Sequence, residues 1–111
     1  MNKDELVYVR HVLGAIDDIE QITKALDKQT FLSNISARHA VVRCIEIMGE
    51  ASKHLSNEFR KKHSDIPWSD IAKMRDKAIH DYLGVNYDIV WDVVQKDLPE
   101  LKRKIKRIIE G

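Results

Sequence analysis

Cysteine is almost absent from this 111-residue chain. Its single example, Cys44, excludes an intramolecular disulfide and a multi-cysteine zinc site, and points to a reducing, cytoplasmic compartment. Two prolines and four glycines are too few for a loop-rich or all-β architecture. No apolar run approaches the ~20 residues of a membrane span. Nor does an apolar segment follow Met1-Asn2-Lys3-Asp4-Glu5, so no secretory signal is expected. An excess of charge of one sign is missing too. Lys and Arg number 19 against 18 Asp and Glu, for a net charge of +1, where a general nucleic-acid coat protein would be far more basic.

What is present is a soluble globular composition, 43% hydrophobic and 33% charged, of a length that suits one domain over residues 1–111. Apolar residues recur at helical spacing nearly throughout. Val9, Val12, Ile16, Ile19, Thr23 and Leu26 form one stripe, and Thr30 to Ile35 reads as a connection. Asn34 or Ser36 can cap a second helix from about Ala37 to Leu55, whose face carries Ala40, Val41, Cys44, Ile45, Met48 and Ala51. Small residues on it, Gly49 among them, permit close approach of a neighbouring helix. Ser56 to Ile66 reads as a polar connection. Pro67 and Trp68 open a third helix that is expected to stop near Leu83-Gly84. Asn86 can cap a fourth, with Pro99 imposing a kink or restart around Asp97. The expectation is an all-α fold, a small antiparallel bundle of four to five helices without a strand.

Two basic clusters stand out, Arg60-Lys61-Lys62-His63 and Lys102-Arg103-Lys104 with Lys106-Arg107. The second reads either as a solvated helix face that complements the helix C-terminus or as a phosphate contact. No histidine pair at helical spacing has an acidic helper, so no metal site is expected.

One residue breaks the pattern. Ile71, Met74, Ala78 and Tyr82 share a stripe of the third helix, and Arg75 falls in the middle of it. An arginine among core positions needs partners. It can pair with a carboxylate such as Glu46 or Glu50, its stem packed along the core edge, or it can be held in a groove to clamp a phosphate. His80 follows, roughly 140° around a regular helix from Arg75, so the two would meet only if the helix loosened or two copies packed together.

Arg75-Asp76-Lys77-Ala78-Ile79-His80-Asp81-Tyr82 resembles the signature of HEPN-domain ribonucleases, and more narrowly the HepT-like toxins of toxin–antitoxin pairs. Flanking segments extend the likeness along nearly the whole chain: Gly49-Glu50-Ala51-Ser52-Lys53-His54-Leu55-Ser56, Ile66-Pro67-Trp68, Leu83-Gly84-Val85, Val90-Trp91 and Asp97-Leu98-Pro99-Glu100-Leu101-Lys102. The resemblance implies a HEPN-like helical fold and a cytoplasmic, metal-independent endoribonuclease without a cofactor. Its composite site would be shared across a homodimer. His80 matches the catalytic histidine and Arg75 the phosphate-contacting arginine. Asp76 stands where asparagine is frequent, as an auxiliary residue that can orient Arg75 or His80. Tyr82 matches the tyrosine that a minimal nucleotidyltransferase antitoxin adenylylates in this family. RNA is then the substrate and that antitoxin the partner, with no membrane involved. The competing reading is a non-catalytic helical module that recruits a nucleotidyltransferase, with Arg75 and His80 structural. It is favoured by the neutral net charge and the few aromatics available for base stacking.

Overall fold

The computed structural model describes residues 3–80 and 84–111, with side chains over 5–76 and 84–111. Four long helical rods carry the fold: α1 (Lys3–Thr23), α3 (Ile35–Lys53), α5 (Trp68–Ala78), and a continuous stretch made of α6 (Tyr87–Asp92), a π-helical turn (Val93–Asp97) and α7 (Leu98–Glu110). Two six-residue helices, α2 (Lys28–Ser33) and α4 (Asn57–Lys62), occupy connections that read as loops in the sequence. α1 packs along α3, α3 along α5, and α7 returns onto α1. Ser56, just past α3, donates its N–H to the Glu5 carboxylate in the first turns of α1 at 2.7 Å, so these two rods run antiparallel. Among the described residues no helix is long and apolar enough to cross a membrane.

The stripes become one core. Val9, Val12, Ile16 and Ile19 of α1 are fully buried against Val41, Ile45 and Met48 of α3, Ile71 of α5, and Val90 and Ile105 of the last rod. Thr23 belongs to the buried set because its hydroxyl donates to the Ile19 carbonyl at 2.8 Å. Asn34 is the cap of α3 and Asn86 that of α6, accepting from the N–H groups of Ala37 and Ile89. α3 therefore starts two residues earlier than the apolar pattern alone indicates.

α2 exists because Asp27 and Thr30 form a reciprocal capping box. The Thr30 N–H donates to the Asp27 carboxylate at 2.8 Å, and the Asp27 N–H to the Thr30 hydroxyl at 2.9 Å. The Thr30 N–H, and the Thr30 hydroxyl that lies 2.9 Å from the same carboxylate oxygen, hold the Asp27 carboxyl below its usual range. Phe31, fully buried, then pins α2 through its ring, 5.2 Å from Trp91 of α6. Ser56 caps α4, and Phe59 sinks into a cluster with Trp68, 6.0 Å between ring centres.

Pro99 produces the restart expected near Asp97. The Leu98 N–H bonds the Val93 carbonyl five residues back, a wide turn that lets α7 begin with its proline in the first turn, where no donor is required. The third helix departs from expectation. α5 ends at Ala78, and Ile79–His80 (β1) pairs antiparallel with Gly84–Val85 (β2), Ile79 opposite Val85 and His80 opposite Gly84. Gly84 is no helix stop; it lies in β2 with a φ of +81° that glycine adopts freely. Ile79 and Val85 are both β-branched and favour extended backbone. The ladder is two residues long on each side, so the architecture is a helical bundle with one short β bridge.

Candidate active site

Arg75 reaches the surface from among core positions, and the structure shows how. Its neighbours Ile71 and Met74 are buried, while the Arg75 side chain keeps 36% of its surface exposed. The stem lies over Gly49 of α3: a Cβ built on that glycine would stand 3.8 Å from the Arg75 Cβ and 4.0 Å from its Cδ. The stem thus runs along α3 at Gly49 with room for a methyl group at ordinary van der Waals distance. At the far end, the guanidinium Nη1 donates to the Asp76 carboxylate at 3.3 Å. Neither Glu46 nor Glu50 takes the pairing open to them in sequence. Glu50 instead lies 3.6 Å from His54 and 3.9 Å from Lys53. Asp76 is mostly exposed, so this is a loose tether, and among the described residues no other side chain pairs with the Arg75 guanidinium.

His80 does not share a helix with Arg75. With α5 ending at Ala78, the angular separation computed for a regular helix no longer applies, because the chain turns into β1 between them. The backbone of His80 is fixed opposite Gly84; its side chain, like Tyr82 as a whole, lies outside the described residues. The structure thus shows the anchoring of Arg75 and its contact with Asp76, together with the strand that carries His80.

Several members of the basic clusters have partners within the fold. Arg60 donates to the Ser52 carbonyl in the last turn of α3 at 2.7 Å, and the His63 carbonyl accepts from the Trp68 indole at 3.0 Å. On α7, Lys102 bridges Asp17 at 3.1 Å and Glu20 at 2.9 Å. Lys104 donates to the Asp65 carbonyl, Arg103 pairs with Glu100, and Lys106 lies 3.9 Å from Glu110. These contacts hold the Lys102 ammonium above its ordinary value and the Glu100 carboxyl below its own. Cys44 is buried on the α3 stripe, and burial pushes its thiol up, away from reactivity. Among the described residues no group of histidine, cysteine and carboxylate side chains could hold a metal ion.

Sequence reading overlooked a groove of ≈ 580 Å³ beside β2, lined by Leu32, Arg38 and residues 84–88. In it the Arg38 guanidinium carbon sits 4.6 Å from the centre of the Tyr87 ring. Arg38 is adjacent in sequence to Ala37, and no local signal joins it to an aromatic on another helix.

Over its full length the chain superposes, at a TM-score of 0.73 and 20% identity, on the whole of a tri-AMPylated Shewanella oneidensis HEPN toxin solved in complex with an MNT antitoxin. Family membership follows from sequence. Residues 12–108 match the model of the ribonuclease HepT-like family. The chain is 43% identical over 103 residues to a candidate RNase of Caldanaerobacter subterraneus subsp. tengcongensis, covering 93% of this chain and 92% of that protein. It is 39% identical over 108 residues to a protein of Thermococcus cleftensis named "Probable ribonuclease HepT", covering 97% and 98% of the two. This chain belongs to the HepT-like ribonuclease family.

Proposed function

We propose that this protein is the toxin of a toxin–antitoxin pair, an endoribonuclease that cuts RNA without a metal ion. The observation that carries the reading is the state of Arg75: stem lying along Gly49 and head tethered, among the described residues, by Asp76 alone. His80, five residues on, takes the proton from a ribose 2′-hydroxyl. The freed oxygen attacks the adjacent phosphorus and expels the 5′-oxygen of the next nucleotide, which is reprotonated as it leaves. The products are a 2′,3′-cyclic phosphate and a 5′-hydroxyl. Arg75 stabilises the charge gathered on the phosphorane oxygens, the part a metal ion would otherwise play. DNA, lacking the 2′-hydroxyl, is inert.

Two protomers around a two-fold axis would bring a pair of Arg75 and His80 sets to one groove, giving the composite site of a homodimer. Silencing is by a nucleotidyltransferase partner. The Tyr82 hydroxyl attacks the α-phosphorus of ATP, pyrophosphate leaves, and the added phosphate and base compete with the RNA phosphate for Arg75. The Shewanella oneidensis toxin, AMPylated and held by its MNT antitoxin, supports this reading.

The test is cleavage of RNA in excess chelator by protein made without a partner. Arg75→Ala and His80→Ala variants run beside it, with intact mass to establish that Tyr82 is unmodified. Cyclic-phosphate ends from the wild type alone are expected. Failure of unmodified dimer to cut varied RNAs would favour the recruiting-module reading, and cutting that persists in His80→Ala would overturn the mechanism.

A further inference from the structure

The Arg38–Tyr87 groove holds donors that find no acceptor among the described residues. The Arg38 side chain is partly buried, and its Nε is shielded from solvent without a hydrogen-bond partner among the described residues. Its guanidinium is stacked on Tyr87, an arrangement that orients a planar donor while leaving its edge unused. Asp88, the one carboxylate among the described lining residues, is held by Lys28 at 3.2 Å, and no described carboxylate pairs with Arg38. Asn86 uses its carbonyl oxygen to cap α6, which leaves its amide NH2 as a further donor. The guanidinium edge left open by stacking and the Asn86 amide can both donate to an outside ligand.

The position of the groove identifies that ligand. Gly84 lines it and is also the residue opposite His80 in the β bridge. Arg38 and Gly49 both lie on α3, eleven residues or three helical turns apart, about 16 Å along the axis and within roughly 20° of the same face. Gly49 lies under the Arg75 stem, so α3 carries one arginine and contacts a second. The buried Val42 and Ile45 fill the face between them. A guanidinium at the mouth of a groove beside the His80 strand suits the phosphate of a chain longer than one nucleotide.

We propose that the Arg38–Tyr87 groove is a second RNA subsite, binding a phosphate and base of the single strand beyond the scissile position. The proposal rests on the ribonuclease reading. Arg38 contacts the phosphate, and the exposed part of the Tyr87–Arg38 stack supports a base.

Binding of a fluorescein-labelled single-stranded RNA is measured by anisotropy in the non-cleaving His80→Ala background, with wild-type cleavage assayed in parallel. Arg38→Gln and Tyr87→Leu should each weaken binding roughly five- to tenfold. Arg38→Gln should also flatten the dependence of log affinity on log salt by about one unit. Arg38→Lys, which keeps charge and loses the plane, should fall between. Lys106→Gln, an exposed charge loss on α7, controls for net charge. Equal affinity of folded Arg38→Gln and its parent, or an Arg38→Gln loss no larger than that of Lys106→Gln, overturns the subsite. Competition by AMP as effective as that by unlabelled RNA overturns the strand and leaves a mononucleotide pocket. Arg38-dependent binding without wild-type cleavage supports the groove and sinks the ribonuclease reading; cleavage without Arg38-dependent binding does the reverse.

Discussion

Replacing Gly49 tests the seat of Arg75 more directly than replacing the arginine. A methyl group at position 49 meets no foreign atom within 4 Å except the Arg75 Cβ at 3.8 Å and Cδ at 4.0 Å, both ordinary van der Waals separations. Glycine within a helix costs about 0.5–1 kcal/mol relative to alanine. The added methyl, buried under the arginine stem, contributes up to about 0.8 kcal/mol more. Some of that gain is offset by small adjustments of the stem, so Gly49→Ala should stabilise by about 1 kcal/mol. For a domain of this size that raises Tm by roughly 4 °C. Circular-dichroism melts and urea titrations with an unchanged m-value measure it. Gly49→Leu should do the opposite. Its branched end needs the volume of the Arg75 stem, and forcing it in costs about 1–3 kcal/mol while displacing the guanidinium. RNA cleavage should survive the alanine and collapse with the leucine. A lower Tm for Gly49→Ala, or a leucine variant as stable and active as wild type, would refute the seating of Arg75 on α3.

Ile16 is fully buried at the α1–α3 contact, and Ile16→Ala should cost about 2–5 kcal/mol in urea unfolding; a loss under 1 kcal/mol would mean the core is looser than described. Lys102 is held above its ordinary value by Glu20 and Asp17, so its contribution is complete below the unfolded pKa of about 10.4 and disappears as pH rises through the raised value. Lys102→Gln should therefore lower Tm slightly at neutral pH, and the gap from wild type should close in strong alkali or high salt; a gap that persists there would point to packing instead. Cys44, buried with its thiol pushed up, should react with a disulfide reagent at pH 8 only as fast as the bundle opens, and fully once denatured. Reaction at the rate of a free thiol would contradict its placement on the α3 stripe.

Much of this molecule is written at short range. The α1 and α3 stripes, the caps at Asn34 and Asn86, the restart at Pro99 and the oddity of Arg75 are each encoded within a turn or two of chain. There, periodicity, a side-chain acceptor or a missing N–H acts on its own neighbours. The two short helices lay at the edge of legibility. The Asp27–Thr30 box and the Ser56 cap are present in the sequence, but six residues are too few for a periodic signal, and buried Phe31 and Phe59 do the anchoring.

The sequence by itself determined the helical class, the core faces and the family, because those depend on residue type and spacing along one chain. Only the tertiary structure decided where α5 ends, since Ile79 and His80 take extended backbone by pairing with Gly84 and Val85 rather than from any local stop. It also decided the partners of the two arginines. Arg75 sits on a glycine of another helix, and Arg38 on a tyrosine of a third. Contacts between residues so far apart along the chain arise when helices pack, and no local pattern announces them.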